Sequence, residues 1–283
     1  MIAFCLSGAC VDGLVKIVTS NDFPSSEVIF LRSIIGCLVL LPLLLKKKLL
    51  KISKQALPLY IYRGIFTFVA VAIWFYILQF APLTKLMAIG FSSTLFTTFL
   101  AIIFLKEYYD RYSLLSLAIG FIGALIIIRP GFVETDIYLA LALISAFFWA
   151  MSLIATKKLS SAEHPIKISF YVSLIFIPLS LTLGTSDWYV PSQNEWYFIV
   201  TLAIFGAVGQ IFLAESFHRA DLVILMPFEF FTLIFAAIFA YFAFGEIIDK
   251  WTIAGAVIIL SSAYAVIFTQ KRKSLKEEIE TVH

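Results

Sequence analysis

The chain of 283 residues is 61% hydrophobic, with a mean hydropathy of +1.00, and its 21 Lys and Arg against 18 Asp and Glu leave a formal net charge of +3. Soluble domains average roughly 45–50% apolar residues, so an aqueous fold is excluded and lipid is the expected solvent for most of this surface. A charge of +3 has no meaning until it is divided among the loops, and no nucleic-acid partner is expected.

Runs long enough to cross a bilayer, roughly 17–25 apolar residues, occur ten times in chain order. The first, near 1–18, carries Asp12 and Lys16 one helical turn apart and leads into a polar loop. It lacks a basic leading region and a small-residue cleavage site, so it reads as a span rather than a removable leader. The second (27–45) holds Arg32, and the third (58–79) holds Arg63 and Trp74. The fourth and fifth (82–105 and 112–128) are separated by Glu107-x-x-Asp110-Arg111. The sixth (137–157) holds Trp149, and the seventh (166–184) leads into the longest connection, GTSDWYVPSQNE. The eighth (195–215) ends on Glu215 and His218, and the ninth (220–244) contains Pro227 followed by Phe228 and Glu229. The tenth (251–269) precedes a charged tail, KRKSLKEEIETVH. Cys5, Cys10 and Cys37 lie inside apolar runs without ligand spacing and are expected to pack rather than to cross-link or bind metal.

Residues 81–128 and 220–267 align without a gap at an offset of 139 and share 12 of 48 positions, among them Met87/Met226, Phe91/Phe230, Glu107/Glu246 and Asp110/Asp249. Apolar composition alone gives roughly a third of that agreement, so the chain is read as a duplication. A weaker match, relating Lys16, Ser20, Pro24 and Leu38 to Lys157, Ser161, Pro165 and Leu179, extends the repeat to both halves.

The basic residues then orient the spans. Lys46, Lys47, Lys48, Lys51, Lys54, Lys106, Arg111, Lys157, Lys158, Lys167, Arg219, Lys271, Arg272, Lys273 and Lys276 fall on one side. Only Arg129 and Lys250 fall on the other, which predicts a cytoplasmic basic face and two cytoplasmic termini. Five spans per half is an odd number, so the second copy is expected to enter the bilayer from the opposite side. Folds of this kind hold a substrate site near the midplane, between the repeats. Gly120 and Gly123, and Gly255, Ala256, Ser261, Ser262 and Ala263, predict close helix packing as scaffold.

These residues resemble the drug/metabolite transporter superfamily, in its EamA-type branch of ten-span proteins. The resemblance is carried by RSIIGCLVLLPLLL, YRGIFTFVAVAIWFYILQFAPLTKLMAI, FLKEYYDRYSLLSLAIGFIGALIIIRPG and ESFHRADLVILMPFEFFTLIFAAIFAYFAFGE. It implies an all-α membrane protein of ten transmembrane helices, built as two inverted five-helix repeats over 1–131 and 137–269, with a cytoplasmic tail at 270–283. Asp12-x-x-x-Lys16 with Ser26-Glu27-Val28-x-Phe30-x-Arg32 resembles the S-adenosylmethionine carriers of intracellular bacteria within this branch. MPFEFF is instead similar to a Pro-Phe-Glu-Tyr element of other members, with Phe230 at the Tyr position.

Charge inside a bilayer costs at least roughly 2.5–3.5 kcal/mol per residue, which singles out the candidate site. Asp12 and Lys16 are expected either to pair within their helix or to line the substrate path. Arg32 offers a planar fork to Asp12 or to a ligand carboxylate. Arg63 is expected to line the path or to reach the inner headgroups. Glu229 stands near the midplane beside a proline kink and is read as a proton carrier or as the partner of a substrate amine; its repeat counterpart is Gly90. Glu215 and His218 suggest a gate or a solvated helix end. Gln210, Gly206 and Gly209 offer a hydrogen bond and close approach to a cavity. Among the aromatic residues Trp74, Tyr76, Trp149, Tyr171, Phe228 and Phe231, the two tryptophans are the favoured cavity walls, and Trp188, Tyr189 and Trp196 fit an interfacial belt.

No phosphate-cradling loop, zinc motif or metal cluster is present in the sequence, so neither a cofactor nor primary ATP-driven transport is expected. The expected protein is not an enzyme. It is a multi-pass secondary carrier of the bacterial inner membrane, monomer or homodimer, moving an amino acid or amino-acid derivative by proton- or gradient-coupled alternating access. A nucleotide-like cofactor carrier, an S-adenosylmethionine transporter and a drug or toxic-metabolite exporter remain the alternatives. A channel and an intramembrane enzyme fit the sparse, isolated charges less well.

Overall fold

An apolar run in lipid must bond its own backbone, and a helix does so within one segment, so each run becomes a helix. A computed structural model of the chain describes residues 1–19, 23–80, 86, 90–106, 111–128, 137–184, 188–245, 250–251, 253–262 and 264–265. Those residues are all-helical. The elements are α1 (Ile2–Thr19), α2 (Ser25–Lys46), α3 (Leu57–Ile77), α4 (Ser92–Leu100, continued by a π-helical turn Ala101–Leu105) and α5 (Arg111–Ile128). They continue with α6 (Ile137–Ser160), α7 (Pro165–Thr182), α8 (Gln193–Arg219) and α9 (Leu222–Leu225, a 3-10 turn Met226–Phe230, then Phe231–Phe244), and end with α10 (Ile253–Ser262). Seven of the ten are long and apolar enough to cross a membrane, and Ser92–Leu105, Leu114–Ile126 and Ile253–Ser262 are shorter apolar helices. The 22 residues of α2 rise about 33 Å, enough to cross a hydrocarbon core of about 30 Å. This is a multi-pass membrane protein.

The ends of the helices follow local chemistry. Ser192 caps α8 by accepting from the Glu195 amide while Glu195 accepts in return from the Ser192 amide. Pro165 opens α7, where its missing N–H costs nothing. In α9, Pro227 falls in the 3-10 turn, where the sequence places its kink. At Lys106 and Gly245, positions 139 apart, the chain leaves α4 and α9 in the left-handed conformation, with φ of 54° and 67°. Glycine takes that conformation freely, and Lys106 takes it at a steric cost. The acidic turns at Glu107, Asp110, Glu246 and Asp249, and the tail at 270–283, lie outside the described residues.

The helices pack in a pattern that pairs the halves. α1 lies against α8 and α9, and α6 lies against α3 and α4; α2 packs on α8, α7 on α3, and α2 and α7 on one another. At the lysine-rich end, Lys47 Nζ stands 3.0 Å from His164 Nε2. There Lys157 donates to the carbonyls of Phe217 (2.9 Å) and Ala220 (2.7 Å), closing the α8 terminus, and pairs with Asp221 at 3.2 Å. At the opposite end the Glu27 carboxylate accepts from the Tyr189 amide at 3.1 and 3.2 Å, and Trp188 meets Phe30 edge-on with ring centroids 5.0 Å apart. All three cysteines are free thiols, and Cys5 donates to the Phe228 carbonyl at 3.3 Å.

The small residues of α5 and α10 do bring those helices together. A Cβ on Gly123 would lie 3.0 Å from the Gly255 carbonyl oxygen, and one on Gly120 would lie 2.6 Å from the buried Phe230 ring. Backbone cannot move aside as a side chain can. Gly123→Leu is therefore expected to cost about 1–3 kcal/mol by overpacking. Gly8→Ala, whose methyl would meet nothing within 4 Å, is expected to be neutral or slightly stabilising. Thermal unfolding of the detergent-solubilised variants checks the contrast, and equal midpoints would show that α5 and α10 are not tightly joined.

Candidate functional site

A cavity of about 190 Å³ lies midway along the bundle, walled by α1, α2, α3, α6, α8, α9 and the approach to α4. Asp12, Arg32, Trp74, Trp149 and Glu229 all line it, so charges from distant parts of the chain converge on one space. Phe4, Phe75, Phe91 and Phe205 supply apolar wall, and Ser93, Ser145, Gln210 and Thr232 supply polar wall.

One acid is held by an indole and the other by a hydroxyl. Trp74 Nε1 donates to Asp12 Oδ1 at 3.1 Å. Thr94 Oγ1 donates to Glu229 Oε2 at 2.8 Å, and Trp149 lines the same cavity. Neutral donors fix the orientation of both acids, which line the cavity. The 3-10 turn places Glu229 so that only 7% of the residue is exposed. Gly90, its repeat counterpart, makes room for the other indole, because a Cβ there would lie 2.9 Å from Trp74 Cη2.

Arg32 is different in kind. Its guanidinium lies 4.9 Å from the Phe75 ring centroid and 5.7 Å from that of Phe176, positions that favour cation–π contact. Among the described residues it has no hydrogen-bond acceptor and no ion pair. Asp12 lies close enough for charge interaction but not for a direct bond. A guanidinium carries five N–H donors, and this one lines the cavity.

Several sequence expectations are corrected. Lys16 does not line the cavity, and Asp12 accepts from Trp74 rather than pairing with Lys16. Phe228 is also absent from the lining; its ring stacks on Phe231 at 6.3 Å, because the 3-10 turn rotates it away from the Glu229 side. Glu215 and His218 are not partners: Glu215 accepts from Arg219 Nε at 2.7 Å, and His218 Nδ1 meets the Ser160 carbonyl. Both serve the helix end, away from the cavity. Tyr76 is 47% exposed, and the Tyr171 hydroxyl donates to the Leu50 carbonyl.

Arg63 does not reach the headgroups. It is 1% exposed and donates from Nε to Thr156 Oγ1 (2.6 Å), from Nη1 to the Ile168 carbonyl (2.9 Å) and from Nη2 to Gln210 Oε1 (2.8 Å). One side chain of α3 thereby ties α6, α7 and α8 together below the cavity. Thr94 and Ser93 were missed as site residues; the hydroxyl cluster SSTLFTT, unusual in an apolar span, was their signal.

The EamA-like transporter family model matches this chain twice, over residues 1–129 and 136–268. The chain belongs to the EamA-like transporter family. It is 32% identical to an S-adenosylmethionine uptake transporter of Rickettsia prowazekii (strain Madrid E), over 98% of this chain and 97% of that protein. It is 30% identical to a riboflavin transporter of Brucella anthropi, over 93% of this chain and 96% of that protein. It is also 28% identical to the pseudopaline exporter CntI of Pseudomonas aeruginosa, over 92% of each. A protein of known crystal structure shares the fold, with a TM-score of 0.77 and 15% identity over 95% of this chain and 98% of that one. This EamA-like protein is therefore a small-molecule membrane transporter rather than an enzyme.

Because three buried bonds depend on one guanidinium, Arg63→Leu is expected to destabilise this transporter by about 2–4 kcal/mol, leaving the Ile168 and Gln210 oxygens without their donor. Arg219→Leu removes only a surface pair within α8 and is expected to change stability by less than about 1 kcal/mol. Unfolding midpoints in detergent compare the two, and equal losses would overturn the assignment of Arg63 as the tie.

Proposed function

We propose that this chain is a secondary carrier of the bacterial inner membrane for a cationic amino-acid derivative of the S-adenosylmethionine class. The observation that carries this reading is the composition of one cavity: two acids, Asp12 held by the Trp74 indole and Glu229 by the Thr94 hydroxyl, and a guanidinium with no acceptor among the described residues. A ligand with a sulfonium, an ammonium and a carboxylate matches that pattern group for group. The π-faces of Trp74 and Trp149 suit a sulfonium or a flat purine. A relative named for S-adenosylmethionine uptake supports the same reading. A neutral flat ring such as riboflavin would use the indoles and leave all three charges unmatched, which argues for the cationic class.

Transport is by alternating access between two five-helix repeats of inverted orientation, within 1–131 and 137–269, followed by a cytoplasmic tail at 270–283. Three observations support this arrangement. The family model matches both halves, Lys106 and Gly245 end their helices alike, and the packing pairs persist when the halves are exchanged. Five helices per half then turn the second copy over. The basic face is cytoplasmic, with both termini.

Coupling follows from Glu229. Its carboxylate binds either a proton or the ligand's cation, so one displaces the other as the cavity changes sides. Gradients alone then set the direction of net flux.

Two experiments test this reading. Purified protein in liposomes should take up labelled S-adenosylmethionine saturably and show counterflow, and Glu229→Gln should lower the rate at least about tenfold and flatten its pH dependence. Linear flux would indicate a channel, and full activity of the variant with an unchanged pH profile would remove Glu229 from the mechanism. Single cysteines at Lys106 and Lys250 should react with membrane-impermeant reagents from opposite compartments. Reaction from the same compartment would overturn the inverted repeat.

A further inference from the structure

A second, smaller chamber of about 30 Å³ opens off the main cavity between α2, α3, α7 and α8. The two spaces share three lining residues: Arg32, Gly206 and Gln210. Those residues form a neck. Ser33, Thr67 and Ser173 line the chamber beyond it, but their hydroxyls donate to the carbonyls of Ile29 (2.6 Å), Arg63 (2.6 Å) and Ser169 (3.3 Å) in their own helices. The donors left for a ligand come from the neck.

Arg63 decides which way Gln210 points. A guanidinium only donates, so the group it meets at 2.8 Å must be the Gln210 oxygen, and the amide NH2 is turned the other way. Among the described residues that NH2 has no acceptor. Gly206 keeps the passage open, since a Cβ there would lie 4.0 Å from Arg32 Nη1.

Resting on the proposed substrate class, we infer that the neck formed by Arg32, Gly206 and Gln210 is a carboxylate subsite, distinct from the cation sites at Asp12 and Glu229. Arg32 supplies a charged fork and Gln210 two N–H donors, while no carboxylate among the described residues bonds either. Arg63 is a positioning residue that acts through Gln210. The ligand's carboxylate binds at the neck and its sulfonium and ammonium lie toward Asp12 and Glu229, which fixes one orientation in the cavity.

The test compares S-adenosylmethionine with its decarboxylated analogue, which keeps the sulfonium and an amine, as ligands of the full-length protein in detergent and in liposomes. Wild-type protein is expected to bind the carboxylate form at least about tenfold more tightly, the worth of one charge-assisted contact. Arg32→Gln should bring the ratio close to one, mainly by weakening the carboxylate form. Gly206→Ala, whose methyl has no neighbour closer than 4.0 Å, is the variant least able to disturb folding and should lower the ratio by narrowing the neck. Arg63→Lys, which cannot span the same three acceptors, should lower it in part by releasing the Gln210 amide. Equal binding of the two ligands to wild type, or a ratio unchanged in both Arg32→Gln and Gly206→Ala, would overturn the subsite while leaving the carrier reading intact. Binding of neither ligand would overturn the substrate class and the subsite together.

Discussion

The Arg63 guanidinium, held by Thr156, the Ile168 carbonyl and Gln210, is the contact on which the lower half of the cavity depends. A permanently charged group with donors and no acceptors has two ways to exist at membrane depth: it reaches water, or neighbouring oxygens surround it. Here three helices contribute those oxygens. The consequence is geometric as well as energetic, because satisfying Arg63 fixes the spacing of α3, α6, α7 and α8 and turns the Gln210 amide nitrogen toward the cavity.

The same rule explains why the remaining intramembrane charges meet in one place. Asp12, Arg32 and Glu229 come from α1, α2 and α9, far apart in the chain, yet all face one cavity between α1 and α9. A charge facing lipid costs more than a charge facing a polar space, so each helix rotates to turn its charged residue inward. An indole donor and a hydroxyl donor then hold the two acids in place. A wall built this way keeps its electrostatic pattern ready for a ligand, and a preorganised pattern selects by charge more sharply than by shape.

The two halves divide the labour unequally. Glu229 and its repeat counterpart Gly90 stand at matched positions, one providing a carboxylate and the other the room for Trp74. Duplication supplies a common scaffold of packed helices, and single substitutions at equivalent points make one side acidic and the other aromatic. That asymmetry makes the two sides of the cavity chemically different.

Much of this was legible in the sequence, and for a local reason. Whether a segment crosses a bilayer depends on its own apolar length, and whether a charge inside it needs a partner depends on its own depth. The ten helices therefore follow the apolar runs, and Asp12, Arg32, Trp74, Trp149 and Glu229 stood out before any contact was known. Lys16 and Phe228 fall outside the lining although each lies within about a turn of a cavity residue, and Glu215 and His218 take the second of their two readings, a helix end. Lys16 shares a face of α1 with Asp12 but stands one turn, about 6 Å, further along it, beyond the cavity, and the 3-10 turn of α9 separates Phe228 from Glu229. Arg63 could not be distinguished from a headgroup-seeking arginine, since its acceptors lie 93, 105 and 147 residues away. The sequence by itself determined the membrane class, the helices and the short list of charges, because the free energy of placing a residue in lipid is a property of the residue and its depth. Only the tertiary structure decided which of those charges share a space and which donors hold them, because that depends on how each helix is turned against neighbours brought from elsewhere in the chain.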